Sequence, residues 1–199
     1  MHDSAATRRR RLLQGGLWAL LPAICLDGRA GADDDGLWSA LQRGALVIFL
    51  RHALTTPGAG DPPGFRLGEC ATQRNLTDAG RAQAARLGAA LRGRKVPVGR
   101  VLTSPWCRCI ETASLVFGGT PEISPALANL FGRTGDRDGQ LADLHKLLGA
   151  FRESGNLALV SHGSTIFAVT GVAPEPAEMV IVKPDGGGGV SVLGRLSAR

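Results

Sequence analysis

Ala45-Leu46-Val47-Ile48-Phe49-Leu50, running directly into Arg51-His52, is the stretch on which the fold reading turns. Six consecutive apolar residues without period-2 alternation predict a strand buried on both faces, as in a parallel sheet covered by helices. Two shorter segments of the same kind lie downstream, Val101 to Thr103 and Leu157 to Val160. Helical patterns separate them. Ala84, Leu87, Gly88 and Leu91 share one face, with Gly93 as the expected C-cap, and Leu141, Leu144, His145 and Leu148 repeat that spacing. His145 is therefore expected to pack on its helix's apolar face. Ser104-Pro105 reads as a helix start, Ser as N-cap and Pro at the first position. Strands alternating with helices predict the α/β class: a three-layer α/β/α sandwich with a mostly parallel central sheet.

Near the end, Val180 to Val182 and Val190 to Leu193 flank Lys183-Pro184-Asp185 and four glycines. They predict a hairpin adding edge strands. The glycines are read as a turn rather than a phosphate loop, because neither a Lys-Ser/Thr pair nor a helix follows them. Thr55 to Asn75, rich in Gly and Pro, is expected to form a long surface loop over a sheet edge.

The chain has 199 residues and a formal charge of +6, but the charge is unevenly placed. Arg8 to Arg11 precede an apolar stretch from Leu12 to Leu26, and Ala30-Gly31-Ala32 matches a small-x-small cleavage pattern. That stretch is shorter than the roughly 20 residues a spanning helix needs. Residues 1–32 are thus expected to be an export signal, and residues 33–199 a single catalytic domain. An uncleaved anchor is the competing reading. Arg9-Arg10-Arg11-Leu12-Leu13 fits a twin-arginine core, although Arg8 stands where Ser or Thr is usual. Ile24 is too bulky for Cys25 to be a lipidation site. The expected destination is periplasmic or secreted, with membrane contact only through the signal. Removing residues 1–32 takes away five arginines and two aspartates, so the charge falls to +3. No Lys/Arg run and few aromatics remain, which argues against a nucleic-acid partner.

Each apolar strand ends in a polar cluster: Arg51-His52, then Ser104 with Arg108 one turn on, then Ser161-His162-Gly163. In an open parallel sheet, ligands bind beyond the carboxyl ends of the strands. Two arginines, two histidines and helix N-termini meeting there suit a phosphate dianion. A metal site is disfavoured, because Arg51 beside His52 would repel a divalent cation and no His-x-x-x-His or Cys-x-x-Cys spacing occurs. No cofactor is expected.

Leu50-Arg51-His52-Ala53 resembles the Arg-His signature of the histidine phosphatase superfamily, in the branch that includes phosphoglycerate mutases and small bacterial phosphatases. Leu76-Thr77-Asp78-Ala79-Gly80-Arg81-Ala82-Gln83-Ala84 resembles its L-T-x-x-G-x-x-Q-A helix. Ser104 to Ala113 resembles its S-x-x-x-R-x-x-x-T-A segment, and Val160-Ser161-His162-Gly163 its V-S-H-G. The motifs run in the family's order from about residue 45 to 171. Cys70 to Thr77 resembles a small exported bacterial subgroup.

The resemblance implies a metal-independent phosphomonoesterase acting on a small phosphorylated substrate. His52 would be the nucleophile that becomes phosphohistidine. Arg51 and Arg108 would clamp the phosphoryl oxygens, with His162 as second pocket histidine. Gly163 and Arg74 would add substrate contacts, a surface role for Arg74 standing beside that one. Nearby cations are expected to lower the pKa of His52.

Two departures stand out. Ala53 replaces the usual Gly, and Leu127-Ala128-Asn129 replaces L-x-E, whose Glu is the general acid in many members. An amide supplies no proton. Asp61, Glu69, Asp136 and Asp138 are the alternatives, each equally readable as a solvated carboxylate. The Asn prompts a rival reading, a phosphate- or phospholigand-binding protein with little turnover. Of Cys70, Cys107 and Cys109, a Cys70–Cys107 disulfide is expected in an oxidising compartment, with three buried thiols as the alternative.

Overall fold

The computed structural model describes residues 30–132 and 135–197, so the bulk of the expected export signal lies outside the described residues. The expected mature start near Asp33 falls in the first turn of α1 (Ala30–Arg43). No helix among the described residues is long and apolar enough to cross a membrane.

Six strands form one sheet: β1 (Val47–Arg51), β2 (Val98–Thr103), β3 (Glu122–Ile123), β4 (Asn156–Ser161), β5 (Glu178–Pro184) and β6 (Val190–Ser197), in the order β3-β2-β4-β1-β5-β6. The first four run parallel, and β5 and β6 are antiparallel to their neighbours. The expected hairpin is thus present, but β5 lies inside the sheet against β1, and of the hairpin's two strands only β6 is an edge.

Val47 and Phe49 of β1 face one side, with Leu157 and Leu159 of β4 and Val180 and Val182 of β5. Ile48, Leu50, Val160, Met179 and Ile181 face the other. The first side is covered by α4 (Arg137–Ala150) and α5 (Gly163–Thr170), through Leu144, Leu148 and Ile166. The second is covered by α1, α2 (Asp78–Gly93) and α3 (Cys107–Phe117), through Leu41, Leu87, Leu91, Ala113 and Val116. Two apolar faces per strand leave no polar alternation, which is why the β1 run reads as continuous. The expected three-layer α/β/α sandwich is the observed one.

α2 begins at Thr77, whose side-chain oxygen accepts from the Gly80 N–H at 3.0 Å. Gly80 cannot be larger: a Cβ there would sit 2.0 Å from the Leu54 carbonyl oxygen. This approach seats α2 beneath the segment leaving β1. The helix ends with Arg94 as C-cap and Gly93 still helical, one residue beyond expectation.

Two other local readings are corrected. α3 starts at Cys107 with Trp106 as N-cap, not at Ser104-Pro105, because Gln73 Oε1 accepts from the Cys107 N–H at 3.0 Å from a distant loop. His145 is exposed rather than packed, with Nδ1 bonded to the Gly188 carbonyl at 2.8 Å.

Candidate active site

β2, β4 and β1 are adjacent, so their carboxyl ends open onto one place. Arg51 pairs with Ser161, the His52 N–H bonds the Ser161 carbonyl at 2.9 Å, and the Ser104 N–H bonds that of Val160 at 2.9 Å. The sheet register thereby places the three polar clusters side by side. The His52 and His162 rings lie 5.4 Å apart, centroid to centroid. A cavity of about 490 Å³ is lined by Arg51, His52, Arg74, Arg108, His162 and Gly163 among others. All six residues singled out from sequence are brought together, Arg74 included.

His52 is buried, and its Nδ1 lies 2.9 Å from the Ala53 carbonyl. A carbonyl only accepts, so Nδ1 carries the proton and Nε2 keeps a lone pair. The His52 pKa is lowered to about 3, first by burial and then by Arg108, Arg51 and Arg74, against the raising effect of the Ala53 bond. The expected direction holds, with desolvation a larger cause than any one of the cations. His162 is likewise driven well below the ordinary imidazole range by burial, then by His52, Arg108, Arg51 and Arg74. Its Nδ1 accepts from Arg108 at 3.4 Å, so its Nε2–H is the donor toward Ser104 Oγ at 2.8 Å.

Arg51 donates to the Pro174 carbonyl at 2.8 Å, and Arg74 to that of Gly58. The Nε atoms of Arg51, Arg74 and Arg108 are all buried without a protein partner among the described residues. Among those residues, the one carboxylate beside the cavity is Asp61, held at 2.7 and 3.2 Å by Arg108. Three guanidiniums against one carboxylate leave a cationic surplus in a desolvated pocket, the condition for binding an oxyanion.

Sequence reasoning did not single out the role Asp61 plays. Its loop lies over the carboxyl ends of the strands rather than a sheet edge. There the carboxylate accepts from Arg108, from the Arg74 N–H at 3.1 Å and from the Trp106 indole at 3.0 Å. Burial alone would raise its pKa, but these bonds outweigh burial and hold it below the usual carboxylate range. Such a group keeps no proton to donate near neutrality. Of the other acid candidates, Glu69 is exposed and paired with Arg66, Asp136 caps α4, and Asp138 is exposed in that helix's first turn. None of the three lines the cavity.

The loop is stapled by a Cys70–Cys107 disulfide, with Cys109 left as a buried free thiol. The bond joins residues 37 apart and lies one residue before Arg108. Cys70→Ser is expected to cost about 2–4 kcal/mol by loop-closure reasoning. Urea unfolding with and without dithiothreitol checks this: the wild-type midpoint should drop to that of the variant, and an unmoved midpoint would refute it.

The family model of the histidine phosphatase superfamily (branch 1) matches residues 47–133, a span that holds Arg51, His52, Arg74 and Arg108. No curated protein sequence matches the chain. Among solved structures, the protein histidine phosphatase SixA complexed with tungstate is similar at TM-score 0.55 and 22% identity, over 77% of this chain and 97% of that one. Phosphoglycerate mutase from Thermus thermophilus is similar at 0.55 and 20%, over 77% and 99%. Phosphoserine phosphatase from Entamoeba histolytica, in complex with 3-phosphoglyceric acid, is similar at 0.54 and 16%, over 77% and 98%. The fold is that of the phosphoglycerate mutase-like histidine phosphatases. At these identities the likeness concerns architecture alone.

Proposed function

We propose that the chain is a phosphomonoesterase that turns over through a phosphohistidine on His52. The observation that carries this reading is the tautomer: Nδ1–H is committed to the Ala53 carbonyl, which leaves an unprotonated Nε2 in a pocket rich in guanidinium. Nε2 attacks phosphorus, the P–O ester bond breaks, and its electron pair stays on the leaving oxygen. Arg51 and Arg108 offset the charge on the equatorial oxygens, the main stabilising effect in phosphoryl transfer. Water then attacks the phosphohistidine, the N–P pair returns to Nε2, and the surplus water proton passes to solvent. Nothing in this sequence of bonds calls for a metal.

His162 enters as a neutral ring that orients Arg108. A bound dianion would offset the guanidiniums and raise the ring's proton affinity, so that Nδ1–H could form and donate to a phosphoryl oxygen. Arg74 and the backbone of Gly163, at the start of α5, complete the binding side. Residues 1–32 would direct the protein to the periplasm or outside the cell, where the Cys70–Cys107 disulfide persists.

The test is hydrolysis of p-nitrophenyl phosphate in the presence of EDTA, with alkaline quench at short times. An acid-labile, alkali-stable phosphoenzyme is the expected intermediate. Asn129 favours the second reading, a phospholigand-binding protein, because it removes the usual acid. Tight phosphate binding without turnover of this activated ester would establish that reading instead.

A further inference from the structure

Beside the cationic cavity lies a second one of about 520 Å³, and the two share Gly60, Asn129 and Phe131. The walls of the second are Phe65, Leu67, Trp106 and Phe131, with Asp61 the one charged residue among the described residues lining it. That carboxylate is already engaged by Arg108, Trp106 and the Arg74 backbone. No described Lys or Arg lines this space, so a second phosphate or a carboxylate finds no partner there. Phe131 is 59% exposed and Leu67 48%, which leaves apolar surface open at the mouth. Phe65 and Trp106 form the inner wall, their rings 6.0 Å apart.

Asn129 stands at the junction. Its Oδ1 accepts from the Phe131 N–H at 3.1 Å and from Ser164 Oγ at 2.9 Å. A backbone N–H can only donate, so the amide orientation is set and only the Nδ2 hydrogens are left to serve a ligand. Asn129 can therefore hydrogen-bond an ester oxygen at the boundary between the cavities but cannot protonate it.

We propose, resting on the phosphatase reading, that the substrate is the phosphomonoester of an aromatic or similarly flat apolar alcohol. Its phosphoryl group occupies the arginine-lined cavity and its ring the Phe65–Leu67–Trp106–Phe131 cavity, with Asn129 holding the bridging oxygen. An aryl oxide departs with its electron pair and needs little proton assistance, and an aryl ring is what the adjoining walls would desolvate.

Two measurements on the full chain test this. The first compares kcat/KM for phenyl phosphate and biphenyl-4-yl phosphate, whose leaving oxygens are nearly equal in basicity. Burying the added ring is expected to raise kcat/KM at least about tenfold, and Phe131→Ala with Leu67→Ala should bring that ratio toward one. The second compares biphenyl-4-ylphosphonate with methylphosphonate as competing, non-hydrolysable ligands, where a similar preference is expected. Turnover with both ratios near one overturns the inference and leaves the phosphatase. A phosphonate preference without turnover of either ester keeps the ligand class and overturns the phosphatase. Absence of both turnover and preference removes both. Across ring-substituted phenyl phosphates, rates should fall steeply as the leaving phenol becomes more basic; a shallow dependence would show an acid at work and overturn the part given to Asn129.

Discussion

His52→Ala is expected to lower kcat/KM for p-nitrophenyl phosphate by about 10⁴-fold or more, while inorganic phosphate still binds. Removing a nucleophile from a covalent mechanism removes the route itself, and losses of this size or greater follow. Binding should survive because the cationic surplus is built by Arg51, Arg74 and Arg108, none of which uses His52 as a hydrogen-bond partner. The same variant should give no acid-labile phosphoenzyme. Far-UV circular dichroism and phosphate titration separate chemistry from misfolding, since a variant that is folded and binds phosphate has lost only Nε2. Residual activity within tenfold of wild type would show that another group attacks phosphorus, and the phosphohistidine mechanism would fall with it.

The legible part of this site is the part set by short-range pattern. Arg51-His52, Ser104 with Arg108, and Ser161-His162 each follow an apolar run, and parallel pairing of adjacent strands then leaves them only one place to meet. The sandwich was legible for the same reason, since a strand apolar on both faces must be covered on both. What escaped was set by distant partners. Asp61 pairs with Arg108 from 47 residues away, in a loop with no periodicity to read. The α3 start was misplaced because the side chain that accepts from its first N–H, Gln73, lies 34 residues upstream. His145 fell on the expected helical face, but the Gly188 carbonyl sits close enough to accept its hydrogen bond at the surface. β3 has two exposed residues, too few to carry a signal, and α1 was overlooked although Trp38 and Leu41 pack into the core. Asn129 reads in sequence only as a missing acid; its hydrogen bonds to Phe131 and Ser164 give it a definite orientation.

Stability should begin to fall as pH drops below about 6.5, before carboxylates begin to protonate, and should go on falling toward about 3. Unfolded, an imidazole titrates near 6.5; folded, His52 does so at about 3. Between these values the unfolded chain holds a proton that the native state refuses, so acid favours unfolding. The stability is fully present above the unfolded value and is lost as pH falls, at up to about 1.4 kcal/mol per unit for each such histidine. His52 alone amounts to about 5 kcal/mol across the window, and His162, shifted the same way, steepens the slope. Asp61 has the opposite charge but the same sign of linkage, and its loss begins as pH falls into the ordinary carboxylate range, where the unfolded chain takes up the proton first. Urea unfolding between about pH 7.5 and 4.5 therefore isolates the histidines. A free energy of unfolding that stays level across that range would mean that the two rings accept protons in place, contrary to their burial among guanidiniums. Saturating sulfate, which stays a dianion throughout this range, supplies the discriminating control. Burial is the largest cause of the lowered His162 pKa and the guanidiniums add to it; a dianion between Arg51 and Arg108 offsets their share, so the sulfate-bound protein should lose less stability per unit of pH than the free protein. Should sulfate leave the slope unchanged, the anion and the second histidine do not share a site, and the hydrogen bond proposed from His162 to a phosphoryl oxygen has no proton.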